Sequence, residues 1–547
     1  MAIRKHRIPW YHRNKKICVS LYLCVLPFWL CNMIFELIIA GFAILLLTVF
    51  ILTNKGHGSL PPGPRPLPII GHLHLLQPLI HRSFRDLCSC YGPIIYLRLG
   101  SVPCVVASTP ELARELLKTN DLTFSSRKHS LAIDHLTYSS SFAFAPYGPY
   151  WRFIKKLSTF EFLGNRALNQ FLPVRRKELR QFIGVLHDKS KVCESVNVTE
   201  ELLNLSSNII SQIILSLRCS GTDNEAEGVR TLVREVTQIF GEFNVSDFIW
   251  FCRNLDFQGY RKKFEDVHRR YDALLENIIT NREIERKKSG GEYKVKDLLD
   301  MMLDALEDKS SEVELTREHI KALVLDFITA ATDTTAAATE WALAELINNP
   351  KVLEKARQEI DTVVGNKRLV EESDSPNLPY IQAIIKETFR LHPPIPMIAR
   401  KSIQESKING YTIPKNTLLF VNIWSIGRDS RYWKNPLEFE PERFLKSEGD
   451  MVQSTASMDI KGQHYELLPF GTGRRSCPGI ALALLELPVS LAAMIQCFEW
   501  KVADPHGVKI KGNALVDMTE RPGLTAPRLH DLVCAPVPRP ALDSFQP

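Results

Sequence analysis

The chain has 547 residues, 45% of them hydrophobic and 24% charged, a composition typical of a globular enzyme with a membrane segment. The formal net charge is +7, and six positive charges lie in the first sixteen residues, so the rest is nearly neutral and gives no indication of nucleic-acid binding. The twelve cysteines include no CxxC pair, which excludes a disulfide framework and a zinc cluster.

The N-terminal region predicts a membrane anchor. Residues 34–53 are almost wholly apolar, and Glu36 is their only charge. Twenty helical residues reach roughly 30 Å, the thickness of the hydrocarbon core of a bilayer. The basic cluster that precedes the anchor should stay in the cytosol. Two alternatives keep the body there too: either residues 1–33 are an extension upstream of the natural start, which we favour, or the two apolar runs form a hairpin.

A proline-rich segment follows the anchor. Residues 54–72 include Leu60-Pro-Pro-Gly-Pro-Arg-Pro-Leu-Pro-Ile-Ile-Gly71, which favours stiff, extended backbone and predicts a hinge. We expect residues 73–547 to form one large domain that is mainly α with a small β part. Ile94–Val106 predicts a hairpin and Tyr411–Val421 a strand, and a loop is expected at Ser289–Gly291. Apolar spacing predicts helices at Pro110–Thr119, Trp151–Phe162, Asn197–Leu217, Gly228–Gly241, Gly259–Lys288 and Arg317–Asn348.

One cysteine stands in a glycine-rich loop just before an apolar helix. The loop reads Phe470-Gly-Thr-Gly-Arg-Arg-Ser-Cys-Pro-Gly479, and its glycines allow tight bends and a close approach to a bound group. A sulfur at a helix N-terminus faces free amides, which favour the thiolate. Cys477 could be a buried small hydrophobe or a nucleophile, but the loop favours the axial ligand of an iron cofactor.

Two further patterns accompany this loop. Glu387 and Arg390 lie three residues apart on one helix face, and Arg443 lies between aromatic residues, so the three predict a bracing network. Within the long helix at 317–348, Asp333 and Thr334 interrupt an apolar pattern. A buried aspartate there is costly unless it is paired or functional, so we expect a groove in the helix that holds dioxygen and passes protons to it.

Together these motifs resemble the cytochrome P450 family of haem-thiolate monooxygenases. The resemblance runs from residue 34 to about 540, with one departure at Ala331, where the family usually has glycine. It implies haem b, O2, and electrons from NADPH through a membrane-bound reductase. It also implies that Thr334 and Asp333 are catalytic and that Cys477 is the metal ligand. The implied haem-binding residues are Cys477, Trp151, Lys155, Arg400, Arg475 and Phe470.

Within the family the chain resembles the plant flavonoid enzymes, flavone synthase II most of all. That resemblance rests on residues 330–350, 492–501 and 516–518, and implies hydrogen abstraction at C-2 of a flavanone. The implied pocket is apolar and aromatic, which suits a flat phenolic ligand but also a terpenoid. Its residues are Phe142, Phe144, Phe327, Ala330, Ile395, Met397, Ile398 and Leu524.

Several alternatives stay open at this point. Isoflavone-type 2-hydroxylation with aryl migration shares most of the same residues. A haem-thiolate isomerase that needs no external oxygen is disfavoured by Thr334, and a membrane-tethered haem-binding protein without turnover belongs to another class. The resemblance places the enzyme at the endoplasmic reticulum with its catalytic domain in the cytosol, and Arg152, Lys156 and Arg474 are candidates for the reductase-docking face.

Overall fold

The computed structural model describes residues 36–37, 40–41, 44, 60–219, 224–288, 296–308, 310, 312–445, 458–503 and 515–539. The chain divides into two compact units, residues 1–60 and 61–547. The predicted extension, most of the predicted anchor and hinge residues 54–59 lie outside the described residues, as does the predicted loop Ser289–Gly291. The five described residues of the anchor are helical.

The second unit is mainly helical, as the apolar spacing predicts. Its described helices are α1 (Ile80–Tyr91), α2 (Pro110–Arg114), α3 (Leu131–Leu136), α4 (Pro149–Lys156), α5 (Asn165–Gln170), α6 (Leu172–Lys191), α7 (Val198–Leu215), α8 (Asn224–Gly241), α9 (Tyr260–Lys288), α10 (Leu298–Glu307), α11 (Arg317–Asn348), α12 (Pro350–Val363), α13 (Pro379–Leu391), α14 (Ile423–Ile426) and α15 (Ile480–Cys497). Two predicted helices end in π-helical turns, at Glu115–Thr119 and Leu157–Phe162.

The central helix is α11, which begins and ends where its sequence pattern predicts. Thr316 and His319 form a reciprocal cap at its start: the hydroxyl of Thr316 accepts from the amide of His319 at 3.3 Å, and Nδ1 of His319 accepts from the amide of Thr316 at 3.0 Å. The helix packs against α7, α13 and α15, and most of its residues are buried. It therefore runs through the core with both sides covered.

The strands form three small sheets. They are β1 (Ile94–Leu99), β2 (Val102–Ala107), β3 (Val196–Asn197), β4 (Ile398–Lys401), β5 (Ser406–Ile408), β6 (Tyr411–Ile413), β7 (Leu418–Val421), β8 (Phe498–Val502) and β9 (Val533–Pro538). The sheet orders are β1-β2-β7-β4, β3-β9-β8 and β5-β6. Strand β2 pairs antiparallel with β1, which confirms the predicted hairpin, and parallel with β7.

The single strand predicted at Tyr411–Val421 is wrong. Strands β6 and β7 belong to different sheets, and the segment between them turns. Asn416 there has a φ of 65°, a left-handed conformation that ends an extended strand, and Pro414 has no amide to donate to a ladder. The apolar residues on both sides of the turn look continuous only in sequence.

Among the described residues, α15 is the helix that is long and apolar enough to cross a membrane. However, 72% of that stretch is buried inside the protein, which is the burial of a core helix. Since α15 follows the loop of Cys477 directly, its burial anchors that loop in the core.

Candidate active site: a cavity above Cys477

A cavity of about 1030 Å³ lies between α11 and the loop that contains Cys477. Its wall also includes residues 142–144, 394–400 and 521–526. The structure brings together all of the predicted pocket residues on this wall, namely Phe142, Phe144, Phe327, Ala330, Ile395, Met397, Ile398 and Leu524. A cavity of this size that is mostly apolar suits a small organic ligand.

Cys477 reaches this cavity from a tightly folded loop. Its amide donates to the carbonyl of Phe470 at 3.0 Å. Gly473, four residues earlier, has a φ of 70°, and a Cβ there would lie 2.7 Å from the carbonyl oxygen of Leu117. Because no side chain fits at that position, glycine is required for the loop to pack as it does.

Opposing effects act on the protonation of the Cys477 sulfur. Burial raises the pKa of the Cys477 thiol, and this outweighs the hydrogen bond from the Gly479 amide and the charges of Lys155 and Arg127, which lower it. A stable thiolate here needs a cation beside the sulfur. In the described part of the chain no group of three or more His, Cys, Asp or Glu side chains could hold a metal ion.

Three arginines line the same cavity as Cys477. Arg400 and Arg475 are buried and were predicted, whereas Arg127 is half-buried and was not. Burial and mutual repulsion lower the pKa of Arg475 to about 9 and the pKa of Arg400 well below its usual value. Nη1 of Arg475, Nε of Arg127 and Nε1 of Trp151 are buried without a hydrogen-bond partner. Such a cluster is costly unless it binds anions, and two carboxylates would compensate it.

Of the other three predicted haem-binding residues, two line the cavity and one does not. Trp151 and Phe470 line the cavity, and the guanidinium of Arg475 lies 4.4 Å from the centre of the Trp151 ring. Lys155 does not line it: Nζ donates to the carbonyl of Ser476 at 2.8 Å. Lys155 therefore supports the loop of Cys477 with a hydrogen bond and a charge, while Arg127 stands with the other two arginines.

The two predicted catalytic residues point in different directions on α11. Thr334 lines the cavity, and its hydroxyl donates to the carbonyl of Ala330 at 2.6 Å. Asp333 does not line the cavity. Its carboxyl forms a hydrogen bond with the side chain of Thr237, and burial raises its pKa. Of the two residues expected at the groove, only Thr334 therefore lines the cavity wall, and Asp333 faces α8.

Beneath the site, Glu387, Arg390 and Arg443 form the predicted network. Oε2 of Glu387 accepts from Arg390 at 2.7 Å, and Oε1 accepts from Arg390 at 2.7 Å, from Arg443 at 3.0 Å and from the amide of Glu440 at 2.8 Å. Arg390 also donates to the carbonyls of Gly427, Pro436 and Glu438. This network joins α13 to the segment of residues 427–443.

The candidate docking residues lie at the surface. Arg152 and Lys156 are exposed on α4, and Arg474 forms an ion pair with Asp121 at 3.2 Å. Arg152 and Arg474 both lie over the ring of Tyr147, at 6.0 and 5.4 Å. Two of the three basic residues are therefore neighbours in space.

The arginine cluster and the lone sulfur fit one prosthetic group. A haem would bring two carboxylates for the guanidiniums of Arg127, Arg400 and Arg475 and an iron that the sulfur of Cys477 would hold. The buried donors that lack partners here match the carboxylates of such a group. Fold and site thus define a haem-thiolate protein.

Comparison with known proteins identifies the family. The cytochrome P450 pattern matches residues 61–524, and the chain belongs to this family. It is 61% identical to cytochrome P450 93B2 of Gerbera hybrida, over 89% of this chain and 93% of the relative. It is 59% identical to cytochrome P450 93B16 of Glycine max, over 91% and 95%. A 2-hydroxyisoflavanone synthase of Glycyrrhiza echinata is 47% identical, over 88% and 92%.

A solved structure agrees with this assignment. A zebra fish cytochrome P450 determined with progesterone superposes with a TM-score of 0.70 at 26% identity, covering 84% of this chain and 99% of that chain. The predicted mainly helical cytochrome P450 fold is confirmed, as are the predictions of a plant-type monooxygenase, of haem b and of electrons from a reductase.

Proposed function

We propose that this protein is an NADPH- and O2-dependent monooxygenase that converts a flavanone into a flavone by hydrogen abstraction at C-2. The observation that carries the proposal is the aromatic cavity of about 1030 Å³ with Cys477 on its wall. Phe142, Phe144 and Phe327 give it flat apolar surfaces, which suit a rigid ligand of fused and linked aromatic rings. The relatives named 2-hydroxyisoflavanone synthase support a flavonoid-type substrate.

The residues of the chain have separate tasks in this reaction. Cys477 would hold the iron, and Arg127, Arg400 and Arg475 would bind the two carboxylates of the haem. The bound haem supplies the oxidation of an unactivated carbon by dioxygen. Thr334 presents its hydroxyl at the cavity wall, so Oγ1 can hold and pass a proton there once it releases the carbonyl of Ala330. The apolar wall excludes water around it.

A second candidate is 2-hydroxylation with aryl migration. It is favoured by the three relatives named 2-hydroxyisoflavanone synthase, each 47% identical over 88% of this chain.

One experiment separates these candidates. Microsomes that contain the protein and a reductase receive naringenin and NADPH, and the products are separated by mass spectrometry. Apigenin is expected. Genistein-type products would instead support the second candidate, and 2-hydroxynaringenin alone would contradict flavone formation. A carbon monoxide band without any product would indicate binding without turnover, and product without NADPH would indicate an isomerase.

The ligand assignment has its own test. Cys477→Ala should abolish the carbon monoxide band of the reduced protein, because the sulfur is the only protein ligand we assign to the iron. Cys90→Ala is the matched control, since Cys90 is exposed on α1 and does not line the cavity. A normal carbon monoxide band in Cys477→Ala would refute the assignment.

We further infer that residues 34–53 anchor the protein in the endoplasmic reticulum with its catalytic unit in the cytosol. The apolar length of this segment supports the anchor. The reductase would dock at Arg152, Lys156 and Arg474. A variant that lacks residues 1–53 should leave the membrane pellet after centrifugation; retention in the pellet would contradict the anchor.

A further inference from the structure

Asp326 is a buried carboxylate on the cavity wall that the proposed chemistry does not use. It is 7% exposed and lies on α11, eight residues before Thr334, which is about 12 Å along the helix axis. A carboxylate in an apolar cavity is costly unless hydrogen bonds or charges compensate it. Its partners therefore indicate its role.

Those partners all come from one turn, residues 141–144. Oδ1 of Asp326 accepts from the hydroxyl of Ser141 at 2.7 Å, and Oδ2 accepts from the amide of Ala143 at 3.4 Å. The amide of Phe142 also forms a hydrogen bond with the carboxylate. The hydroxyl of Ser141 in turn accepts from the amide of Phe144 at 3.2 Å. Three successive amides of this turn are thus held by Asp326, either directly or through Ser141.

The same turn presents two aromatic rings to the cavity. Phe142 stacks on Trp151 with ring centres 5.8 Å apart and an angle of 19°. Phe144 packs edge-on against Phe240 of α8, with ring centres 6.1 Å apart, and lies 5.9 Å from the guanidinium of Arg127. Both phenylalanines line the cavity. Whatever fixes the turn on α11 therefore fixes a large part of the wall that a substrate meets.

The charge of Asp326 is balanced within this arrangement. Burial raises its pKa to about 6, while the hydrogen bonds from the turn and the charge of Arg127 lower it. Near neutral pH the group is therefore mostly ionised, and an ionised carboxylate can only accept hydrogen bonds. That matches the donors that surround it, which are one hydroxyl and two amides.

We propose that Asp326 is a positioning residue that fixes Phe142 and Phe144 against α11 and so determines which carbon of the substrate faces Cys477. This inference depends on one part of the proposed function, namely that a substrate is oxidised in this cavity. The carboxylate acts through the turn and does not contact the substrate. Asparagine at this position keeps the shape but has one acceptor oxygen and one amino group, so it cannot satisfy the same three donors.

The test uses the full-length, haem-loaded protein and three variants: Asp326→Asn, Ser141→Ala and the double variant. The control is Glu340→Gln, because Glu340 is another buried acid of α11, bound to Thr199 and Arg528 away from the cavity. Hydrogen exchange of the amides at residues 142–144 is measured without substrate. Naringenin affinity, KM, kcat and product ratio are measured with it.

We expect amide exchange at residues 142–144 to rise about 10-fold or more in Asp326→Asn, the size of a lost charged hydrogen bond. Naringenin affinity should fall by a similar factor, and the products should become mixed. The double variant should differ little from Asp326→Asn, because both changes remove one network. Glu340→Gln should retain the exchange rates of the wild type at this turn.

Two results would overturn the proposal. One is unchanged exchange at residues 142–144 in Asp326→Asn. The other is a combination of results: Asp326→Asn binds naringenin more weakly, Ser141→Ala behaves like the wild type, and the effects add in the double variant. That combination would mean that Asp326 contacts the substrate directly. If Asp326→Asn does not bind haem, exchange in Ser141→Ala decides the question. Failure of the wild type to oxidise naringenin would refute the proposed function but not the exchange result.

Discussion

Replacing Glu387 by glutamine leaves two buried guanidiniums without their shared carboxylate. Glu387 is 0% exposed and Arg390 is 1% exposed. The carboxylate accepts hydrogen bonds from Arg390, Arg443 and the amide of Glu440, so both of its oxygens have donors. Water cannot take the place of the lost charge at a site without solvent access.

Removing one member of such a buried ion pair costs about 3–5 kcal/mol, because the remaining charges stay desolvated. Folded proteins have a free energy of unfolding of about 5–15 kcal/mol in total, so Glu387→Gln should lose a large share of the stability. Haem should dissociate from the variant at a much lower urea concentration, because α13 packs Phe389 against Phe470 of the Cys477 loop, with ring centres 5.2 Å apart.

The assay is urea unfolding of the haem-loaded protein, followed by haem absorbance and by circular dichroism, with the free energy extrapolated to water. Glu440→Gln is the matched control. Glu440 binds the same Arg443 at 3.2 Å, but its side chain is 45% exposed, so its loss should cost about 1 kcal/mol or less. Equal effects of the two substitutions, or a loss below about 1 kcal/mol for Glu387→Gln, would refute the reasoning.

Three further outcomes are expected. Glu520 accepts from His81, Arg82 and Trp424. Burial raises the pKa of Glu520, but the hydrogen bond from His81 and the charges of His81, Arg82 and Arg428 outweigh it and lower the pKa from 4.5 to about 2. The ionised Glu520 therefore stabilises the folded state by an amount on the order of 3 kcal/mol, which is complete above pH 4.5 and is lost as the pH falls toward 2. Glu520→Gln should flatten the curve of unfolding free energy against pH in that range. The pKa shift of Glu486 has the opposite sign, because burial raises its pKa from 4.5 to about 8. The folded state therefore loses stability as the pH rises through that interval. Glu486→Gln should unfold at a higher temperature than the wild type at pH 8.5 but not at pH 4. Arg475→Gln should reduce haem retention during gel filtration more than Lys155→Gln does, because Arg475 lines the cavity and Lys155 contacts only the loop behind it. Equal retention in the two variants would contradict the assignment of Arg475 to a haem carboxylate.

Local patterns were sufficient to predict much of the site. The glycine-rich loop around Cys477 and the Glu387 and Arg390 spacing depend on neighbouring residues, so they can be recognised in sequence. The helix at Arg317–Asn348 has the predicted ends because its cap and its apolar positions are both local features.

The errors arise where geometry depends on distant parts of the chain. Arg127 belongs to an irregular segment, and only the folded chain brings it to Arg400 and Arg475. Asp326 looks like an ordinary polar residue in an apolar helix until residues 141–144 are placed against it. Asp333 was expected at the groove because it interrupts an apolar helix, but its carboxyl has a hydrogen-bond partner in Thr237 of another helix.

The parallel pairing of β2 with β7 has a consequence for synthesis on the ribosome. Residues 104–107 pair with residues 418–421, which emerge about 300 residues later. At roughly 5–20 residues per second, the nascent chain carries β2 with one unpaired edge for tens of seconds. An open strand edge with Cys104, Val105 and Val106 invites association with other chains, so chaperones should engage this protein throughout translation of its helical middle.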